Sequence, residues 1–302
     1  MTLIDYIHQT EARLDAAGVA FGQGTTNAFE EAAWLVLWRL GLPLDDLDGA
    51  AARTLDAGEL AQLDALVDER IATREPAAYL TGEAWLQGVP FFVDRRAIIP
   101  RSLIAEVLAE GLVDPWLPDP CLRVLDLCTG NGSLAVLAAM AWPQVHVDAT
   151  DLSGEALAVA ARNVDRHALG GRIALHQGDG LAAVAGPAHD LILCNPPYVP
   201  DASMAALPPE FRAEPALALA GGADGMDFIR GLLAAAPRHM TPEAVLVLEI
   251  GHERAHFEAA FPRLEVAWLP TQWSDDGVLL ATREALAAAD AASRRGASGA
   301  AR

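Results

Sequence analysis

The sequence predicts an α/β protein: a doubly wound, mainly parallel seven-stranded sheet, preceded by a small N-terminal helical domain and a β-hairpin linker. Three observations carry this. From Leu122 onward, short apolar runs alternate with helical stretches, the pattern that places helices on both faces of a parallel sheet. Before about residue 80, apolar residues recur at helical spacing behind good capping residues. Between these regions, two aromatic-containing arms flank Gly88, as in a hairpin. At 302 residues the chain is long enough for two such units, each with its own core. The expected boundaries are 1–80 for a helical substrate-docking domain, 81–97 for the linker, 98–284 for the α/β domain and 285–302 for a disordered tail.

In the helical domain, Thr2 and Asp5 form a capping box, Leu3, Ile7 and Leu14 make the stripe, and Gly18 ends the helix. Asn27 starts a second helix with Glu30 in the reciprocal capping position. The stretch Ala32 to Leu40 is apolar nearly all round, as a helix buried among others must be. A third helix begins near Asp56, carries Leu60, Leu63, Val67 and Ile71 on one face, and stops before Pro76. After the hairpin, an amphipathic run covers Leu103 to Leu112, and prolines 115, 118 and 120 separate it from the sheet. Strands are expected at 122–128, 146–151, 172–179, 189–194, 244–251, 264–269 and 278–282. Helices are expected over 133–141 and 153–167, the latter with Ser153 as a cap, and an Ala/Ser/Arg-rich tail from about Ala285 frays into disorder.

The formal charge of −20 disfavours phosphate-rich partners and favours a basic protein, so no direct nucleic-acid binding is expected. Cys121, Cys128 and Cys194 show no paired spacing and read as free thiols of a reducing, cytoplasmic compartment. No metal site is proposed. No signal peptide is evident, and no apolar run reaches the ~18 residues of a membrane span.

Two motifs carry chemistry. Asn195-Pro196-Pro197-Tyr198 follows the run His189 to Cys194, at the strand end where open α/β sheets bind ligands. Each proline forces the residue before it into extended geometry, so the Asn195 side-chain oxygen and the Pro196 carbonyl are held as two acceptors. Two acceptors suit an NH2 group, and Tyr198 supplies a flat wall beside it. The bland reading is a rigid strand-to-loop turn.

The second motif is the turn Asp126 to Ser133. Its glycines, Gly130 and Gly132, let a backbone turn tightly and approach a ligand, with Thr129 beside them as a further cofactor-binding candidate. Gly130, Gly132 and Ala135 also satisfy a dinucleotide fingerprint, and Asp151 lies roughly 20 residues on, where a ribose-binding acid belongs. A nicotinamide or flavin enzyme is therefore a rival reading. Asp126 tips the balance toward S-adenosyl-L-methionine, because a carboxylate there repels pyrophosphate but accepts from a cationic amino group. Asp179, at the third strand end, is placed to hold the adenine amino group. As plain structure, Asp151 is a helix N-terminal acid and Asp179 a turn residue.

The glycine turn, Asn195 to Tyr198 and Glu214 to Gly225 resemble the class I, Rossmann-like methyltransferases that modify glutamine on translation proteins. Phe21 to Asn27, Ala78 to Thr81, Ala84-Trp85 and Ile99 to Glu106 are similar to the branch that methylates the ribosomal protein uL3. At that last stretch, Ser102 and Leu103 depart from the release-factor branch. In the glycine turn, Asn131 and Ser133 replace the family's more usual Ser and Cys. The resemblance implies that Asn195 and the Pro196 carbonyl hold the glutamine amide, with Pro197 and Tyr198 against it. The basic uL3 protein would be the partner and S-adenosyl-L-methionine the methyl donor. Glu214 to Gly225 is expected to cover the pocket, and Glu249 to Gly251 reads as a capped strand end. A release-factor methyltransferase, a nucleic-acid amino methyltransferase and a noncatalytic binding or assembly protein remain alternatives.

Overall fold

The computed structural model describes residues 1–289 apart from Pro187, together with Ala291. The chain opens with α1 (Leu3–Ala16), α2 (Ala28–Arg39), the single turn α3 (Leu47–Ala50), α4 (Ala57–Thr73) and α5 (Ala77–Thr81). The expected capping box forms at Thr2/Asp5, and a second, not anticipated, forms at Asp56/Glu59. At α2 the expectation is half met. Asn27 caps the Glu30 amide, but the Glu30 carboxylate accepts from Thr26 instead of reaching back to Asn27. Leu3, Ile7, Leu14, Ala32, Val36 and Leu63 close a separate small core between α1, α2 and α4.

The hairpin pairs β1 (Glu83–Leu86) with β2 (Val89–Phe92) around Gln87 and Gly88, both at positive φ as a two-residue turn requires. It is fastened to the α/β domain by Asn163, whose side chain exchanges two hydrogen bonds with the Phe92 backbone and donates a third to the Asn131 carbonyl. Next comes the short α6 (Ile104–Ala109).

The α/β domain runs β3 (Arg123–Leu127), α7 (Ser133–Ala141), β4 (His146–Asp151), α8 (Gly154–Arg166), β5 (Ile173–Gln177) and β6 (His189–Cys194). After the cover segment with α9 (Asp201–Ala206) and α10 (Pro209–Arg212), it continues through α11 (Asp227–Ala235), β7 (Met240–Glu249), α12 (Arg254–Ala260), β8 (Ala267–Trp268) and β9 (Val278–Thr282). Two strands differ from expectation. β7 begins at Met240, its start hidden in sequence by Pro242 and by an irregular register against β6, and β8 keeps only two paired residues. Residues 283–289 are helical; of the expected disordered tail, residues 290 and 292–302 lie outside the described residues.

The sheet order is β5-β4-β3-β6-β7-β9-β8, parallel except for β9, which is antiparallel to both its neighbours. Alternate strand residues serve opposite faces. Val124, Leu193 and Val247 join α6 and α7 in one core, whereas Leu125, Ile192 and Leu246 join α11 and α12 in the other. The chain builds outward from β3 to β5, then returns to lay β6 against the other side of β3. The carboxyl ends of β3 and β6 therefore flank the switch point of the sheet, the crevice in which such folds bind ligands. Among the described residues, no helix is long and apolar enough to cross a membrane, and no group of His, Cys, Asp and Glu is placed to hold a metal ion.

Candidate active site

A cavity of about 330 Å³ opens at this switch point. Thr129, Gly130, Asp151 and Asp179 line one arm, and Asn195, Pro196, Pro197 and Tyr198 line the other. The two motifs, separate in sequence, share one space because β3 and β6 are hydrogen-bonded neighbours with Leu127 paired to Cys194.

On the first arm, Gly130 (φ 56) donates its amide to one Asp151 oxygen at 2.9 Å, while the other accepts from the Ser153 amide at 2.8 Å. Each oxygen keeps a lone pair for a ligand hydroxyl. A Cβ at Gly130 would sit 3.3 Å from the Ile98 side chain, so the turn needs its bare backbone. Burial raises the Asp151 pKa. Asp179 stands exposed on the rim.

Two predicted cofactor residues lie behind the wall rather than in it. Asp126 is fully buried; its Oδ2 accepts from the Thr129 hydroxyl and the Ala135 amide, and Oδ1 has no protein partner. Burial pushes its pKa up to about 7. Gly132 (φ 81) turns the chain into α7, and a Cβ there would press on Ala160 at 3.1 Å, so its glycine serves the approach of α7 to α8.

On the second arm, neither the Asn195 side chain nor the Pro196 carbonyl makes a hydrogen bond to a described residue, which leaves both acceptors available. Tyr198 is fixed from below. Its hydroxyl donates to Glu249 Oε1 at 3.2 Å, and Glu249 Oε2 accepts from the Ser102 hydroxyl and the Leu103 amide. The Glu249 carboxylate is buried, which raises its pKa against these donors. β7 does end at Glu249, as expected, and the residue also lines the cavity. A charge closing an otherwise apolar strand, Val245 to Glu249, was the signal for it.

The stretch 214–225 does cover the pocket, with Pro215, Leu217, Ala218 and Leu219 in its lining. Glu214 is buried and accepts from the Gln23 side chain, the Ile99 amide and Arg101 Nη1. Glu210, fully buried, is paired with Arg70 and Arg74 of the helical domain. Sequence reasoning missed this cluster because Arg70 sits on the buried stripe of α4, where apolar residues were expected.

S-adenosyl-L-methionine fits these residues. The cavity offers a bare glycine turn, a carboxylate with spare lone pairs at the second strand end, and in its lining Thr150, whose buried Oγ1 has no protein partner.

Residues 5–82 match the PrmC N-terminal domain family and residues 105–217 the Methyltransferase small domain family. The chain is 57% identical over 288 residues to the ribosomal protein uL3 glutamine methyltransferase of Bordetella pertussis, covering 94% of this chain and 96% of that protein. It is 49% identical to the protein of the same name from Burkholderia pseudomallei, over 92% and 94% of the two chains. With that of Bradyrhizobium diazoefficiens the identity is 46%, over 92% and 89%.

Proposed function

The chain belongs to the family of ribosomal protein uL3 glutamine methyltransferases, and we propose that it methylates the side-chain amide nitrogen of a glutamine in uL3, in the cytoplasm. The observation that carries this reading is the pair of unpartnered acceptors, Asn195 and the Pro196 carbonyl, in one cavity with the glycine turn and Asp151.

When bound, S-adenosyl-L-methionine supplies an electrophilic methyl group on a sulfonium. Thr129, Gly130, Asp151 and Asp179 would hold it from the first arm, with Asp126 acting from beneath through Thr129 and Asn195 facing it from the second. An amide nitrogen is a poor nucleophile because its lone pair is delocalised into the carbonyl. Asn195 and Pro196 address this by gripping the two N–H hydrogens, which aims the nitrogen and stabilises positive charge as it develops there. The bound donor would supply the methyl to the nitrogen, its sulfur keeping the bonding pair as a neutral thioether, and one of the two N–H protons held by Asn195 and the Pro196 carbonyl would be released in exchange, so no strong base need act beforehand. Tyr198, braced by Glu249, packs against the amide and excludes water.

Mass spectrometry of undermodified, unassembled uL3 after incubation with the enzyme and S-adenosyl-L-methionine, with a release factor in parallel, tests this. One added methyl on a uL3 glutamine alone is the expected outcome. Methylation of the release factor instead would overturn the substrate assignment.

A further inference from the structure

Asn195 and Pro196 supply acceptors, yet an amide also presents a carbonyl oxygen that needs a donor. Most donors on that side of the cavity are already engaged. The Ser102 and Tyr198 hydroxyls both donate to Glu249, and the half-buried Arg96 is forked onto Asp94. Arg101 differs. Its Nη1 is pinned by Glu214 at 2.8 Å and by the Ile99 carbonyl at 3.2 Å, and its guanidinium lies 5.5 Å from the Phe211 ring centroid. Nε and Nη2 have no hydrogen-bond partner among the described residues, although the side chain lines the cavity and is only 25% exposed. A rigid cation with two free donors is thus held beside Tyr198, close enough for its charge to oppose the burial that raises the phenol's pKa.

We propose that Arg101 donates to the carbonyl oxygen of the substrate amide and so determines which end of the amide faces Asn195. This rests on the reading of the site as one for a glutamine side chain. The two ends of an amide are nearly equal in size, so shape alone does not orient it. In the flipped pose the amide oxygen would confront two acceptors while Arg101 faced an NH2; in the productive pose every donor meets an acceptor. As the amide nitrogen is methylated and loses its proton, the same cation steadies the electron density shared with the oxygen.

Arg101→Lys is the decisive variant in the full-length enzyme, because lysine keeps a charge for Glu214 while losing the two fork nitrogens. kcat and KM for uL3, the Kd for S-adenosyl-L-methionine by calorimetry, and Tm are measured beside wild type. The expected result is a fall in kcat/KM of about 10- to 100-fold, the scale of one lost donor at a reacting oxygen, with Kd and Tm near wild type. Arg101→Gln should fall at least as far. Wild-type kcat/KM in Arg101→Lys would overturn the proposal, as would a loss matched by equal losses in cofactor affinity and Tm, which would make Arg101 only a prop for Glu214. The wild-type reaction alone reports on the uL3 reading, and the ratio of variant to wild type reports on Arg101.

Discussion

At the level of single residues, the site divides into groups that touch ligand and groups that hold them. On the proposed reading, Asn195→Ala removes one of two acceptors at the reacting nitrogen. It should lower kcat by about 10²-fold while leaving the Kd for S-adenosyl-L-methionine nearly unchanged, since the first arm stays intact. A comparable loss of both, measured by steady-state kinetics and calorimetry, would remove Asn195 as a substrate ligand. Asp126 gives a prediction of opposite character. Its folded pKa of about 7 lies above the ordinary aspartate value of 3.8, so the native state holds its proton more tightly than the unfolded chain. The stability from that difference is present in full below about pH 4 and is lost as pH rises through about 7. In Tm measurements on ligand-free protein across that window, Asp126→Asn should therefore gain on wild type as pH rises; a constant offset would refute the burial effect. The strand-end position of Asn195 and the stiffness of its prolines were legible in sequence because they are local. Glu249 was not, because its donors come from 51 and 147 positions away and no local pattern reports them.

Among the elements, the helices are not merely attached to the sheet domain; they hold its cover. Arg70 of α4 is buried and donates to Glu31 of α2 at 2.8 Å, lies 3.5 Å from Glu210 of α10, and reaches the Ala20 carbonyl. Replacing it with methionine fills the space but strands the buried Glu31 carboxylate, while Glu210 keeps Arg74. Arg70→Met should cost about 3–5 kcal/mol in urea unfolding, the range for breaking buried ion pairs from one side. Adding Glu31→Gln should recover part of that loss, and strict additivity of the two changes would argue against direct coupling. The cover depends on close backbone contact at its other end. A Cβ on Gly221 would fall 2.7 Å from Tyr198 Cα, a backbone atom that cannot swing aside. Gly221→Ala should thus impair catalysis through the motif it leans on, seen as lower kcat with the sheet's far-ultraviolet signal retained. The helices of this region were readable from caps and periodicity, because those signals lie within a turn or two. Their attachment was not, since a buried arginine on an apolar stripe breaks the pattern by which buried faces are recognised.

For the whole molecule, the order of strands explains why one crevice gathers residues spread from Arg96 to Glu249, and the charge bears on how a substrate would reach it. The alternation of strands and helices was enough to predict the parallel sheet, whereas the partnership of β9 with both β7 and β8 depends on long-range pairing. With 41 acidic side chains against 21 basic ones, the net charge of −20 sets up a field that would draw in a basic protein substrate, as the proposed reading requires, over distances longer than any contact. Such steering acts on encounter and weak docking, while the proposed amide chemistry depends on short contacts within the cavity, where bulk salt has little reach. The two therefore separate on a salt titration. Raising ionic strength from about 50 to about 300 mM shortens the screening length from roughly 14 to roughly 6 Å, so KM for the full-length substrate should rise several-fold with kcat little changed. A short neutral peptide around the same glutamine should show almost no salt dependence, because it carries little charge for the field to act on. Equal salt sensitivity for peptide and full-length substrate would place the effect in the pocket instead and leave the acidic surface without a part in substrate capture.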